Sequence, residues 1–145
     1  MKAVVQRVRS ASCSVEGRET GRIGPGLLVF LGVAQGDTEK ELDYLLAKIL
    51  NLRIFPDDEH KMNLSLLDKG YGMLVISQFT LLADCRKGNR PNFMFAAPPD
   101  EANRLYEEFL ARAAKHAQTE RGEFGAMMDI LAENDGPVTI IIESK

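Results

Sequence analysis

The sequence is poor in the residues that usually carry catalysis: two cysteines, two histidines and no tryptophan in 145 residues. Cys13 and Cys85 lie far apart, with no CxxC and no histidine pair beside them, so neither a zinc site nor a disulfide framework is indicated. Reduced thiols fit a cytoplasmic protein. His60 and His116 are isolated, and each reads as a surface side chain before it reads as a ligand or a base. HExxH, GxSxG and phosphate-cradling glycine loops are absent, which leaves no expected metal and no expected cofactor. No apolar run is long enough to span a bilayer. Near the start of the chain, Arg7 and Arg9 interrupt the stretch that a signal peptide would need unbroken, so a soluble protein away from membranes is expected. Strong charge of one sign is missing too. A formal charge of -3 argues against wrapping DNA or RNA indiscriminately, because that binding neutralises many phosphates, and it leaves only a local basic patch open.

What is present is enough for one domain, 1–145, with a proper core: 45% of the residues are hydrophobic. Ala3, Val5, Ala11, Cys13 and Val15 keep a period of two that Arg7 and Arg9 break, which predicts a strand with an anomaly. Glu16-Gly17 and Gly24-Pro25-Gly26 turn the chain, and LLVFLGV then reads as a strand buried on both faces, completing a three-stranded antiparallel meander. Thr38 and Glu41 have capping-box spacing ahead of Leu42, Leu45, Leu46, Ile49 and Leu50, which mark one helix face. Pro99 suits the first position of a second helix, whose apolar stripe runs from Ala102 to Ala113. Between the helices lie the strand GMLVIS and a loop holding RKGNRPNF. After them Phe124 to Ala132 alternate, and ENDG leads into a last strand. The expected fold is α+β: a largely antiparallel, barrel-like sheet with two main helices.

Two stretches carry candidate chemistry. In SQFTL a buried strand gives way to Ser77, Gln78, Phe79 and Thr80 just before a loop, where sheets commonly present functional groups; capping of the strand end is the plain alternative. No neighbouring base is visible to activate the Thr80 hydroxyl. In ENDGPVTIII, Pro137 withholds a backbone donor at the mouth of an apolar run, and Asp135-Gly136 reads as a hairpin turn. Arg7, on the parity of Val5, points inward and needs a partner or carbonyls there, unless a bulge turns it outward.

From MKAVVQRV through EGRETGRIGPGLLVFLGV, RIFPDDEHKMNLSLLD, SQFTLLAD and RPNF to NDGPVT, the chain resembles the D-aminoacyl-tRNA deacylases, historically called D-tyrosyl-tRNA deacylases. SQFTL and NDGPVT are that family's signature motifs. The resemblance implies hydrolysis of the ester between a D-amino acid, and glycine, and the 3′-terminal adenosine of tRNA. It implies a homodimer with the active site at the subunit interface, Ser77 to Thr80 lining the pocket, and a cis Gly136-Pro137 unit from the partner acting as chiral filter. Such a unit aims two backbone carbonyls at the substrate's α-amino group and leaves no room for an L side chain. By the same resemblance Arg7 braces that pair. Arg86, Lys87 and Arg90 are candidates for the acceptor-end phosphates, and Phe93 or Phe95 for stacking on the terminal adenine, unless the two rings are core. A nucleic-acid-binding module without catalysis and a Thr80-dependent hydrolase of small esters are the rival readings.

Overall fold

The computed structural model describes residues 1–144. Its elements in chain order are strand β1 (Lys2–Val15), β2 (Arg18–Ile23), β3 (Gly26–Gly32), helix α1 (Glu39–Asn51), β4 (Phe55–Pro56), β5 (Met62–Leu64), α2 (Leu66–Lys69), β6 (Gly72–Ser77), a 3-10 turn (Phe79–Leu82), α3 (Pro99–Ala113), β7 (Thr119–Arg121) and β8 (Asp129–Glu143). The main sheet runs β2-β1-β3-β6-β7, with β8 on the other edge of β1. The pairs of β1 with β2, β3 and β8 are antiparallel, whereas β3-β6 and β6-β7 are parallel.

Side-chain parity explains how one sheet serves two cores. Leu27, Val29 and Leu31 of β3 and Met73 and Val75 of β6 pack against α1 and α3. Leu28, Leu74 and Ile76, of the opposite parity, join Val8, Ala11, Cys13 and Ile23 in a second cluster on the other face. Ala3 and Val5 belong to the first cluster and Ala11 and Cys13 to the second. The β1-β8 register shifts between Val8 and Ser10, so the odd positions change faces there. The helices begin as their sequences specify. Glu41 accepts from the Thr38 amide at 2.8 Å and the Thr38 hydroxyl from the Lys40 amide at 3.2 Å, while Pro99 opens α3.

The hairpin expected at Asp135-Gly136 is not formed. β8 is one strand of 15 residues that runs straight past the pair. Gln6 of β1 faces Thr139 and Val8 faces Asn134, so residues 135–138 bulge out opposite the single residue Arg7. Proline is tolerated in mid-strand because the bulge has already left the ladder. The Gly136-Pro137 bond is cis, as the resemblance implies. The short elements α2, β4, β5 and β7 also escaped the sequence reading; runs of two to four residues carry no usable period.

Candidate active site

β6 is buried as far as Ile76 and surfaces at Ser77 and Gln78, after which the chain turns sharply across the end of β3. The Gln78 amide donates to the Leu31 carbonyl at 2.8 Å, Leu81 donates back to Gln78 at 3.3 Å and Ala83 to Thr80 at 3.1 Å. Every amide of the turn that points backward is thus used. The Phe79 and Thr80 amides, at its front, meet no acceptor among the described residues. Two successive free N–H groups form a concave partial positive charge suited to an oxyanion.

The Thr80 side chain is exposed, and its Oγ1 lies 2.5 Å from Gln78 Nε2. An amide takes no proton at neutral pH whichever way it is flipped. Among the described residues no histidine, aspartate or glutamate side chain bonds the Thr80 hydroxyl, so nothing here activates it as a nucleophile. Among those residues there is also no group of three or more potential metal ligands.

Phe79 is 53% exposed and meets Phe93 edge to face, with ring centroids 5.1 Å apart. Phe93, Met94 and Phe95 are all exposed, so Phe93 and Phe95 are not core; they extend an apolar strip from the turn. The basic loop beside it is tied at its neck, where Asp84 and Asn92 exchange backbone hydrogen bonds of 2.7 and 3.0 Å. Arg86 is exposed but already has an acidic partner. Its guanidinium grips both carboxylate oxygens of Asp84 at 2.8 and 2.7 Å, and these hydrogen bonds hold the carboxyl down at about 2. Lys87 and Arg90 are exposed and have no acidic partner among the described residues. An open groove of about 720 Å³ runs from Leu82 and Arg86 to Phe95, Lys2 and Glu143, and none of Ser77, Gln78, Phe79 or Thr80 lines it.

The second motif is built from β1. The Arg7 side chain is 13% exposed, and its charge is met by carbonyls: Nε donates to Asp135 O at 2.8 Å and Nη1 to Ile54 O at 2.6 Å. Asp135 also sets its carboxylate 3.4 Å from Arg7 Nε and 3.3 Å from Arg9 Nη2. Asp135, the first residue of the bulge, is therefore held from two sides, and Gly136-Pro137 within it is exposed. A Cβ on Gly136 would stand 2.2 Å from the Val138 amide nitrogen, so only glycine fits. Asp135 and the Ile54 carbonyl were missed in the sequence. The aspartate stood inside a motif and was readable, whereas a carbonyl acceptor leaves no trace in residue identity.

The two motifs do not meet within one chain. β8 is three strands from β6, and the bulge is level with Leu27 whereas Gln78 is level with Leu31. At about 4.8 Å per strand and 3.3 Å per residue they lie on the order of 15–20 Å apart. The outer edge of β8 hydrogen-bonds to no strand among the described residues, and it exposes Leu131 and Ile141.

A family model described as D-Tyr-tRNA(Tyr) deacylase matches residues 4–143. The D-aminoacyl-tRNA deacylase of Desulfatibacillum aliphaticivorans is 59% identical and aligns over the full length of both chains. That of Brevibacillus brevis is 55% identical over 99% of this chain and all of its own. Among solved structures, one described as c-Myc DNA Unwinding Element Binding Protein superposes with a TM-score of 0.95 at 46% identity, covering 100% of this chain and 99% of that one. A probable eukaryotic D-amino acid tRNA deacylase reaches 0.83 over 98% of each chain at 17% identity, a likeness of fold alone.

Proposed function

This chain belongs to the D-Tyr-tRNA(Tyr) deacylase family, and from that premise we propose that it hydrolyses the ester joining a D-amino acid to the 3′-terminal adenosine of tRNA and refuses the L-ester by shape. The observation that carries the chemistry is the pair of free amides at Phe79 and Thr80. Water adds to the ester carbonyl, and the charge that gathers on the carbonyl oxygen rests on those two donors. Collapse releases the amino acid and returns the ribose hydroxyl. The neighbouring free hydroxyl of the terminal ribose takes the attacking water's proton while passing its own to the departing ester oxygen, so no protein base is needed. A single oxyanion donor is commonly worth about 100- to 1000-fold in rate.

Selectivity is assigned to Gly136-Pro137 of a second copy. The outer edge of β8 is long and pairs with no strand among the described residues, and such an edge is a template for another chain. A homodimer would bring one subunit's bulge to the other's SQFTL turn, which a single chain keeps apart. There the bulge blocks an L side chain, while a D side chain projects away and is hardly read; glycine passes because it has none. Lys87 and Arg90 hold acceptor-end phosphates, and the Phe93–Phe95 strip offers rings to the unpaired bases. Arg86 is left a shaping role through Asp84. The enzyme works in the cytoplasm, where aminoacyl-tRNA is used.

Incubation with D-Tyr-tRNA and L-Tyr-tRNA in parallel tests the reading. Selective loss of the D-ester supports it. Binding without turnover would leave a tRNA-binding module, and equal hydrolysis of both would remove the filter.

A further inference from the structure

We propose that Gly32, the last residue of β3, is a positioning residue for this hydrolysis: its bare Cα is the floor that fixes where the Phe79 and Thr80 amides stand. The inference rests on the function proposed above. β3 and β6 run parallel with Leu31 beside Ser77, and the chain then folds over the end of β3. A Cβ on Gly32 would lie 2.6 Å from Leu82 Cδ2, 2.9 Å from the Gln78 carbonyl oxygen and 3.2 Å from Leu81 Cβ. Leu82 is half-buried and can swing aside. The Gln78 carbonyl cannot, because it accepts from Leu81 inside the turn while its own amide is held by Leu31. Any displacement therefore passes to the next two residues, which carry the free donors. Gly32 does not occupy the left-handed region that favours glycine, so space alone demands glycine here. Its neighbours in the strand, from Leu27 to Leu31, all carry large side chains.

Gly32→Ala is the test, assayed on D-Tyr-tRNA beside the wild type. Because misplacement by about 1 Å can cost 100-fold, kcat is expected to fall roughly 10- to 100-fold. KM should stay within about twofold, and the preference for the D-ester should survive, since the bulge is untouched. In 15N spectra the Phe79 and Thr80 amides should shift while those of α3 stay in place. If Gly32→Ala does not fold, the double variant Gly32→Ala/Leu82→Ala clears the closest side-chain contact and keeps those to the Gln78 carbonyl and Leu81 Cβ within the turn, so the same loss of kcat is expected. A folded variant with wild-type kcat, or one altered in KM alone, overturns the proposal. Failure of both variants to fold does so too, because Gly32 would then serve the core and not the turn. A wild-type enzyme that left the D-ester intact would instead refute the function itself.

Discussion

Arg7 shows how much one side chain can organise. It is the inward-pointing charge that the broken period of β1 announced, and the cost of enclosing it is met by two carbonyls that no ionisation can remove. One of them belongs to Asp135, the first residue of the bulge, so the guanidinium ties the proposed filter to the loop after α1. Thr80 is the contrasting case. It stands in the motif, but its only side-chain partner among the described residues is an amide, and the donors proposed to matter are backbone groups. Thr80→Ala is accordingly expected to keep kcat within about fivefold of wild type, since backbone amides survive any substitution but proline. A loss of several orders of magnitude in single-turnover assays would restore Thr80 as the nucleophile and remove the ribose hydroxyl from the mechanism.

Among the elements, a buried phenol adds a hydrogen bond to the apolar packing of α3 on β6. The Tyr106 hydroxyl donates to the Val75 carbonyl at 2.8 Å, and burial pushes its pKa up to about 12. In the unfolded chain a tyrosine ionises near 10, so this group's contribution is whole below about pH 10 and is lost as pH rises towards 12. Two units correspond to roughly 3 kcal/mol. Urea unfolding at pH 9 and pH 11.5 should show a decline of about 2 kcal/mol, and Tyr106→Phe, which costs about 1 kcal/mol at pH 9, should remove most of that decline and be no less stable than wild type at pH 11.5. An unchanged slope in the variant would contradict this role. The same elements show what could be read beforehand. α1 and α3 were legible through an apolar period and a capping residue, and β3 and β6 as apolar runs bounded by glycine. β8 was misread because Asp-Gly-Pro is turn chemistry, and only pairing along the whole of β1 overrides it. At the site, SQFTL could be found as a strand end, but its unused amides could not. A free donor is a property of the turn's hydrogen bonds and not of residue type.

At the scale of the molecule, charge and symmetry remain. A chain with net charge -3 that acts on tRNA can grip it only locally, and Asp84 already occupies one of the three basic side chains of the loop. Asp84→Asn should weaken that hold on Arg86. The dependence of log KM for D-Tyr-tRNA on log salt is then expected to steepen by roughly 0.7, the increment for one more phosphate contact on single-stranded RNA. An unchanged slope would place the acceptor end elsewhere.

The shared site is the central claim, and a dimer mixed from two impaired subunits tests it most directly. Gly136→Ala should let L-Tyr-tRNA be hydrolysed beside the D-ester by displacing the bulge, and Gly32→Ala should slow hydrolysis roughly 10- to 100-fold through the amide turn. A mixed dimer of the two then holds one site with turn and bulge both intact and one with neither, so isolated mixed dimers should hydrolyse D-Tyr-tRNA at about half the wild-type rate and still spare L-Tyr-tRNA. If the isolated mixed dimers hydrolyse both esters, the bulge and the turn do not work across subunits, and the account is wrong.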